Sequence, residues 1–173
     1  VTEIGFKVFE ECTSLTKINL PPSLTKIENG TFKGCTSLNE IEIPSSVTEI
    51  DYQAFEGCSS LIKIDLPPSL TKIEKGTFKD CTSLNTIEIP SSVKKILVNS
   101  FNGCSSLVKV LLPSGLTHIE KNAFINCSKL EEITFPSSIE KIYPYAFQNC
   151  SSLKEVVIKS PSIDIEKSAF NNC

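Results

Sequence analysis

A chain of 173 residues with 40% hydrophobic content holds enough apolar material for a folded core, and its formal charge of −3 leaves no basic surplus. That balance argues against a nucleic-acid-binding surface, and because every cation is a lysine, the two-pronged grip of arginine on phosphate is missing. No apolar run approaches the roughly 18 residues of a membrane-spanning helix, and the first residues carry no secretory-signal pattern.

The chain opens on Val1-x-x-Ile4, passes Phe9 and Cys12, and continues through Leu15, Ile18 and Leu20 to Pro21. Twenty-three residues later the same series of positions returns, and it keeps returning. Phenylalanine stands at 9, 32, 55, 78, 101, 124, 147 and 170, and cysteine at 12, 35, 58, 81, 104, 127, 150 and 173. A fixed period of this size is the mark of a solenoid.

Each repeat holds two arms. The first has the form V/L-x-x-I, as in Leu24/Ile27 and Val93/Ile96; the second has the form L-x-x-I-x-I/L, as in Leu38/Ile41/Ile43 and Leu107/Val110/Leu112. The alternation in the second arm has the period of a strand with one buried face, so parallel strands stacked one per coil are expected. Before each Phe usually stands a small residue, as at Thr31, Ala54 and Ser100. Before each Cys stands mostly Gly, Asn or Asp, as at Gly34, Asp80 and Asn126. This reads as a single helical turn closed by a left-handed residue. Prolines 21, 44, 67, 90, 113 and 136 follow the second arm at fixed register, where a missing N–H ends the strand and turns the coil.

About seven apolar side chains per repeat point inward, too many for one coil to bury alone, so stacked neighbours must share a continuous core. Seven coils at about 4.8 Å each give a body roughly 35 Å long. Residues 20–47 and 66–93 differ only at Asn29/Lys75, Gly34/Asp80 and Glu40/Thr86, a recent two-repeat duplication that leaves little room for chemistry resting on a unique residue. Near the end the pattern slips: Lys159 takes the proline position and Pro161 comes two residues late.

The eight cysteines share one structural position. Reduced core thiols are the expected state, with disulfides and a metal site as the alternatives. No CxxC pair exists, and the lone His118 completes no Cys/His zinc pattern. His118 itself reads as a solvated surface residue. The carboxylates Glu28, Asp51, Glu74, Glu120 and Glu166 form a column with lysines nearby, which reads as a solvated edge. No phosphate-binding glycine loop is present. Catalytic residues, cofactors and metal ligands are therefore not expected, and the chain is read as non-enzymatic.

The pattern C-x-S-L-x-x-I-x-L-P-x-S-L-x-x-I-x-x-x-x-F-x-x-C resembles the 23-residue leucine-rich repeats of the BspA-like family, and it runs through essentially the whole chain. The resemblance implies a leucine-rich repeat solenoid: a β-rich, right-handed coil of stacked parallel strands with short helical turns. It implies a single domain over 1–173 of about seven and a half repeats, either a fragment or lacking end caps. Family members are typically surface or secreted proteins that adhere to host proteins and cells, whereas leucine-rich repeats elsewhere include intracellular scaffolds and phosphatase regulators. Fold carries over from such a resemblance better than function.

In solenoids of this kind, function falls on the positions that the repeat leaves free. On the second arm these are outward pairs, and the candidate protein-binding residues are Lys17, Glu40, Glu42, Lys63, Asp65, Glu88, Lys109, Leu111, Thr134 and Val157. Their second column runs from acidic (Glu42, Asp65, Glu88) to largely apolar (Leu111, Thr134, Val157), and exposed apolar surface of this kind marks contact sites. A further departure is Leu97 and Tyr143, which stand where an acid is usual, with Val98 and Tyr145 nearby; these read as packing locally beneath the loop.

The expected function is thus a protein–protein interaction module binding a protein partner through its sheet face, as a surface adhesin or an intracellular scaffold. The alternative is a structural solenoid that forms homo-oligomers through its ends or edges. Free thiols favour a cytoplasmic setting, and the resemblance favours the cell surface. No nucleic-acid partner and no membrane span are expected.

Overall fold

The computed structural model describes residues 2–173 and shows a β-solenoid of about seven turns; of the expected arm positions, only Val1 lies outside the described residues. Both arms form short strands. A parallel ladder bonds each coil's N–H and C=O groups to its neighbours, and the pleat turns every Ile of the arms inward.

First-arm strands are β1 (Glu3–Ile4), β3 (Lys26–Ile27), β5 (Glu49–Ile50), β6 (Lys72–Ile73), β8 (Lys95–Ile96), β10 (His118–Ile119), β12 (Lys141–Ile142) and β14 (Asp164–Ile165). They form one ladder of β1, β3 and β5 and a second from β6 to β14. Second-arm strands pair as β2 (Lys17–Ile18) with β4 (Glu40–Ile41), β7 (Thr86–Glu88) with β9 (Lys109–Leu111), and β11 (Glu132–Phe135) with β13 (Glu155–Ile158). Most coils therefore carry two strands where one is expected, because V-x-x-I presents a β-branched residue to the ladder just as the second arm does.

Between the arms, the expected helical turn is replaced. The residue before each Cys is left-handed as expected, for example at Gly34, Asp80 and Asn126. A second left-handed residue stands four positions earlier, at Gly30, Gln53, Gly76, Asn99, Asn122, Tyr145 and Ser168. Two such residues so close together break any helix. They swing alternate N–H groups along the solenoid axis: Gly30 donates to the Tyr52 carbonyl at 3.2 Å, Phe32 to Ala54 at 2.9 Å and Gly34 to Glu56 at 2.7 Å. The turn is thus zipped to the next coil, as the arms are to the preceding one. At the opposite corner each proline carbonyl accepts from the residue three further on, as in Val47 to Pro44 at 3.0 Å.

The core is a set of columns. Phe9, Phe32, Phe55, Phe78, Phe101, Phe124, Phe147 and Phe170 stack face to face with centroid separations of 5.0 to 5.7 Å. Phe135 replaces an aliphatic residue and meets Phe147 edge-on at 5.6 Å. Beside the rings runs the cysteine column, in which each thiol donates to the Phe carbonyl of the preceding coil, from Cys35 to Phe9 at 3.0 Å through Cys173 to Phe147 at 3.1 Å. Cys12 and Cys173, expected in the core with the rest, are exposed because their coils have a neighbour on one side only. Val156 and Ile158, also expected inside, are exposed for the same reason.

At one junction the first arms lose their pairing, while on the second arm Asn85 still donates to the Ile62 carbonyl at 3.1 Å. Lys94 bonds back to Thr71 at 3.0 Å and Leu97 to Ile73 at 3.0 Å, but Thr71 and Glu74 make no such bond to Thr48 and Ile50. Residues 62–66 form no strand, and Phe55–Phe78 is the widest step of the ring stack at 5.7 Å. The turn side stays closed: Phe55 donates to Thr77 at 2.9 Å, and buried Glu56 pairs with Lys79 at 3.0 Å and Lys33 at 3.5 Å. Burial opposes a charge on Glu56, but Lys79, Lys33 and Gln53 together hold its carboxyl below the ordinary value. Amide hydrogens of Thr71 and Glu74 should exchange about tenfold faster than those of Thr48 and Asp51, the scale of one lost hydrogen bond; equal protection in a deuterium-exchange measurement would contradict the gap.

Candidate functional site

The second-arm strands present alternate residues to solvent: Ile41 is buried between exposed Glu40 and Glu42, and Val110 between exposed Lys109 and Leu111. Nine of the ten candidate residues, Lys17, Glu40, Glu42, Lys63, Asp65, Glu88, Lys109, Leu111 and Thr134, are exposed as expected. Val157 departs from this. It is half-buried, in register with exposed Thr134 in a four-residue ladder.

The first outward column balances its own charge. Lys17 reaches Glu40 at 3.5 Å and Lys109 reaches Glu132 at 3.4 Å, and each pair spans in-register or adjacent coils. Exposed pairs of this kind contribute at most about 0.2–1 kcal/mol, so this column sets surface character more than stability. The second column changes character along the body, from Glu42, Asp65 and Glu88 to Leu111, which is 46% exposed. Around Leu111 lies a groove of about 500 Å³ lined by Lys109, Leu112, Thr134, Pro136 and Lys159. The slip of the repeat at Lys159 thus places a cation where other coils have a proline.

Other side chains with chemical potential are tied up. His118 is half-buried, with Nδ1 2.8 Å from the Thr117 hydroxyl, rather than fully solvated. In the carboxylate column, Glu28 pairs with Lys26 at 3.2 Å, Glu74 with Lys72, and Glu166 with Lys141 at 2.8 Å. All eight cysteines are free. Burial pushes the thiol of Cys35 up to about 11 and that of Cys150 up to about 12, so neither offers a thiolate at neutral pH. Among the described residues no group of three His, Cys, Asp or Glu side chains is placed to hold a metal ion. Leu97, Val98 and Tyr143 are half-buried, in keeping with local packing, while Tyr145 is exposed.

The repeat family described as BspA type leucine rich repeat region, in six copies, matches residues 2–101 and 72–173, which together take in every described residue. The chain belongs to the BspA-type leucine-rich repeat family. A comparison with curated proteins finds no match. Among solved structures, this BspA-type chain is similar to a T. pallidum leucine-rich repeat protein, with 36% identity and a TM-score of 0.83 over 89% of the chain and 72% of that protein. It is also similar to a leucine-rich repeat protein of Bacteroides ovatus, with 29% identity and a TM-score of 0.78, where the whole chain covers 51% of the relative. A leucine rich cell surface protein of Faecalibacterium prausnitzii is 28% identical with a TM-score of 0.59, and the chain covers 62% of it. The chain therefore spans about half to three quarters of these relatives.

Proposed function

We propose that this BspA-type chain is a non-enzymatic recognition module that binds a protein partner through the outward face of its second-arm strands. The observation that carries this is the change in the second outward column from Glu42, Asp65 and Glu88 to exposed Leu111, with an open groove beside it. A structural column would stay polar throughout, since an exposed leucine on an open strand gains nothing from solvent. Contact hot spots are commonly a few side chains at the centre of such a patch. The cell-surface description of the F. prausnitzii relative supports an adhesive setting over an intracellular scaffold.

The test is capture of protein partners by immobilised chain, repeated with the double variant Leu111→Lys/Val157→Ser. Retained partner should fall by about tenfold or more, the scale of a hot-spot loss. The unfolding midpoint should fall only slightly, through half-buried Val157, since Leu111 is exposed. Undiminished capture by the double variant would remove the second-arm face from the reading.

A further inference from the structure

A second surface lies on the first-arm strands, independent of the face just described. Register places the residue before each first-arm isoleucine in a single column. Its early members alternate in sign, Glu3, Lys26 and Glu49, with Lys26 reaching Glu49 at 3.6 Å. At the other end Lys141 meets Asp164 at 2.8 Å. Between them the alternation fails: Lys72 stands against Lys95, Lys95 against His118 and His118 against Lys141. Lys72 and Lys95, like charges directly opposite one another on strands about 4.8 Å apart, repel and cost stability.

Three observations converge on Lys95 at the centre of this run. Lys72 and Lys141 are neutralised by Glu74 and by Asp164 and Glu166, but among the described residues no ion pair reaches Lys95 or its neighbour Lys94. Register sets Glu120 between Leu97 and Tyr143 and Glu140 two coils beyond Lys94, and neither pairs with Lys94 or Lys95. The position after the isoleucine, acidic in most coils, is Leu97 in the coil of Lys95 and Tyr143 in that of Lys141. Finally, the corner position that is serine at 46, 69, 92 and 138 is Gly115, and a Cβ there would fall 2.4 Å from the Lys94 ammonium. The flexible end of Lys94 thus lies over a position that carries serine in those coils.

We propose that Lys94, Lys95 and His118, with Leu97 and Tyr143 beside them, form a docking stripe for an extended acidic peptide whose carboxylates alternate with apolar side chains. The four-coil run is about 14 Å long, the span of about four residues of extended chain. Carboxylates would meet the unpaired ammonium groups of Lys94 and Lys95, while the alternate side chains rest on Leu97 and Tyr143. Charge complementarity of this kind selects the partner and speeds encounter.

The probe is a short fluorescein-labelled peptide alternating glutamate with leucine, titrated against the chain by anisotropy. Saturable binding that weakens with added salt is expected. Lys95→Glu should weaken it by about tenfold, whereas Lys129→Glu, an exposed lysine on the turn side, should leave it unchanged. Lys95→Glu turns the Lys72–Lys95 repulsion into attraction, so it should also raise the unfolding midpoint by about 1–3 °C. Stability and binding thus move in opposite directions, a pattern that a merely structural role does not produce. Absence of saturable binding, equal loss in both variants, or a lower midpoint for Lys95→Glu would overturn the proposal. Binding of a heparin oligosaccharide but not of the peptide would overturn it in favour of a sulfated glycan.

Discussion

Phe101→Ala is expected to destabilise the solenoid by about 3–5 kcal/mol, the usual cost of emptying a buried aromatic site. The ring is wholly buried and lies between Phe78, 5.3 Å away, and Phe124, 5.0 Å away. Truncation removes two ring contacts together, and the site has little means of closing over the void. Coil spacing is fixed on both sides by backbone bonds, Phe78 to Ser100 and Phe101 to Ala123, each 2.8 Å. Because each coil touches only its neighbours, the loss also uncouples the blocks before and after it. The midpoint should fall by roughly 6–20 °C, and the urea transition should broaden as the blocks separate. Phe9→Ala provides the contrast: Phe9 is only half-buried and stacks on one ring, so its cost should be clearly smaller. Equal midpoints for wild type and Phe101→Ala would show that the stack contributes nothing.

What the repeat makes visible in sequence is whatever each coil must do in the same way. Phe, Cys and the arm aliphatics recur because every coil buries them in one shared core, and the proline corner recurs because every coil turns there. The second left-handed position was not legible. It is held by glycine or asparagine at 30, 76, 99 and 122, but by Lys7, Gln53, Tyr145 and Ser168 elsewhere, so at these four its conformation is imposed by coil-to-coil bonds rather than by residue preference. The junction before β6 was hidden for a stronger reason. Residues 66–93 nearly repeat residues 20–47, yet β3 pairs with β1 while β6 has no partner before it. Near-identical local sequences thus differ in pairing through their neighbours. Periodicity likewise predicts the direction of Val156 and Ile158 but not their exposure, which depends on what stacks against the coil. The lysines of the first arm are present in the sequence, but repulsion exists only once register sets Lys95 against Lys72.

Between about pH 8.5 and 11 the solenoid is expected to lose its stability, driven by the cysteine column. Each thiol from Cys35 to Cys150 donates to a Phe carbonyl at 3.0 to 3.3 Å, so a thiolate there would be a buried charge facing a carbonyl oxygen. Burial pushes Cys35 up to about 11 and Cys150 up to about 12, and it pushes Cys58, Cys81, Cys104 and Cys127 further up. An unfolded thiol ionises near 8.5. Below that value both states hold the proton and the stability is fully present. Above it the unfolded chain releases protons that the native chain keeps, so stability falls until the native thiols ionise in turn. Each such group contributes about 1.4 kcal/mol per pH unit, and six together exceed a typical net stability of about 5–15 kcal/mol within two units. Lys26, Lys72, Lys79 and Lys141, raised chiefly by their carboxylate partners, act in the same direction but only once the ordinary lysine range is reached. The measurement is the unfolding midpoint against pH, with iodoacetamide labelling in parallel. The six buried thiols should stay unlabelled at pH 8 and become reactive together with unfolding. Replacing Cys81, Cys104 and Cys127 by alanine should roughly halve the slope, whatever it does to the starting stability. A midpoint that stays flat from pH 8 to 11 would mean that these protons are not coupled to folding.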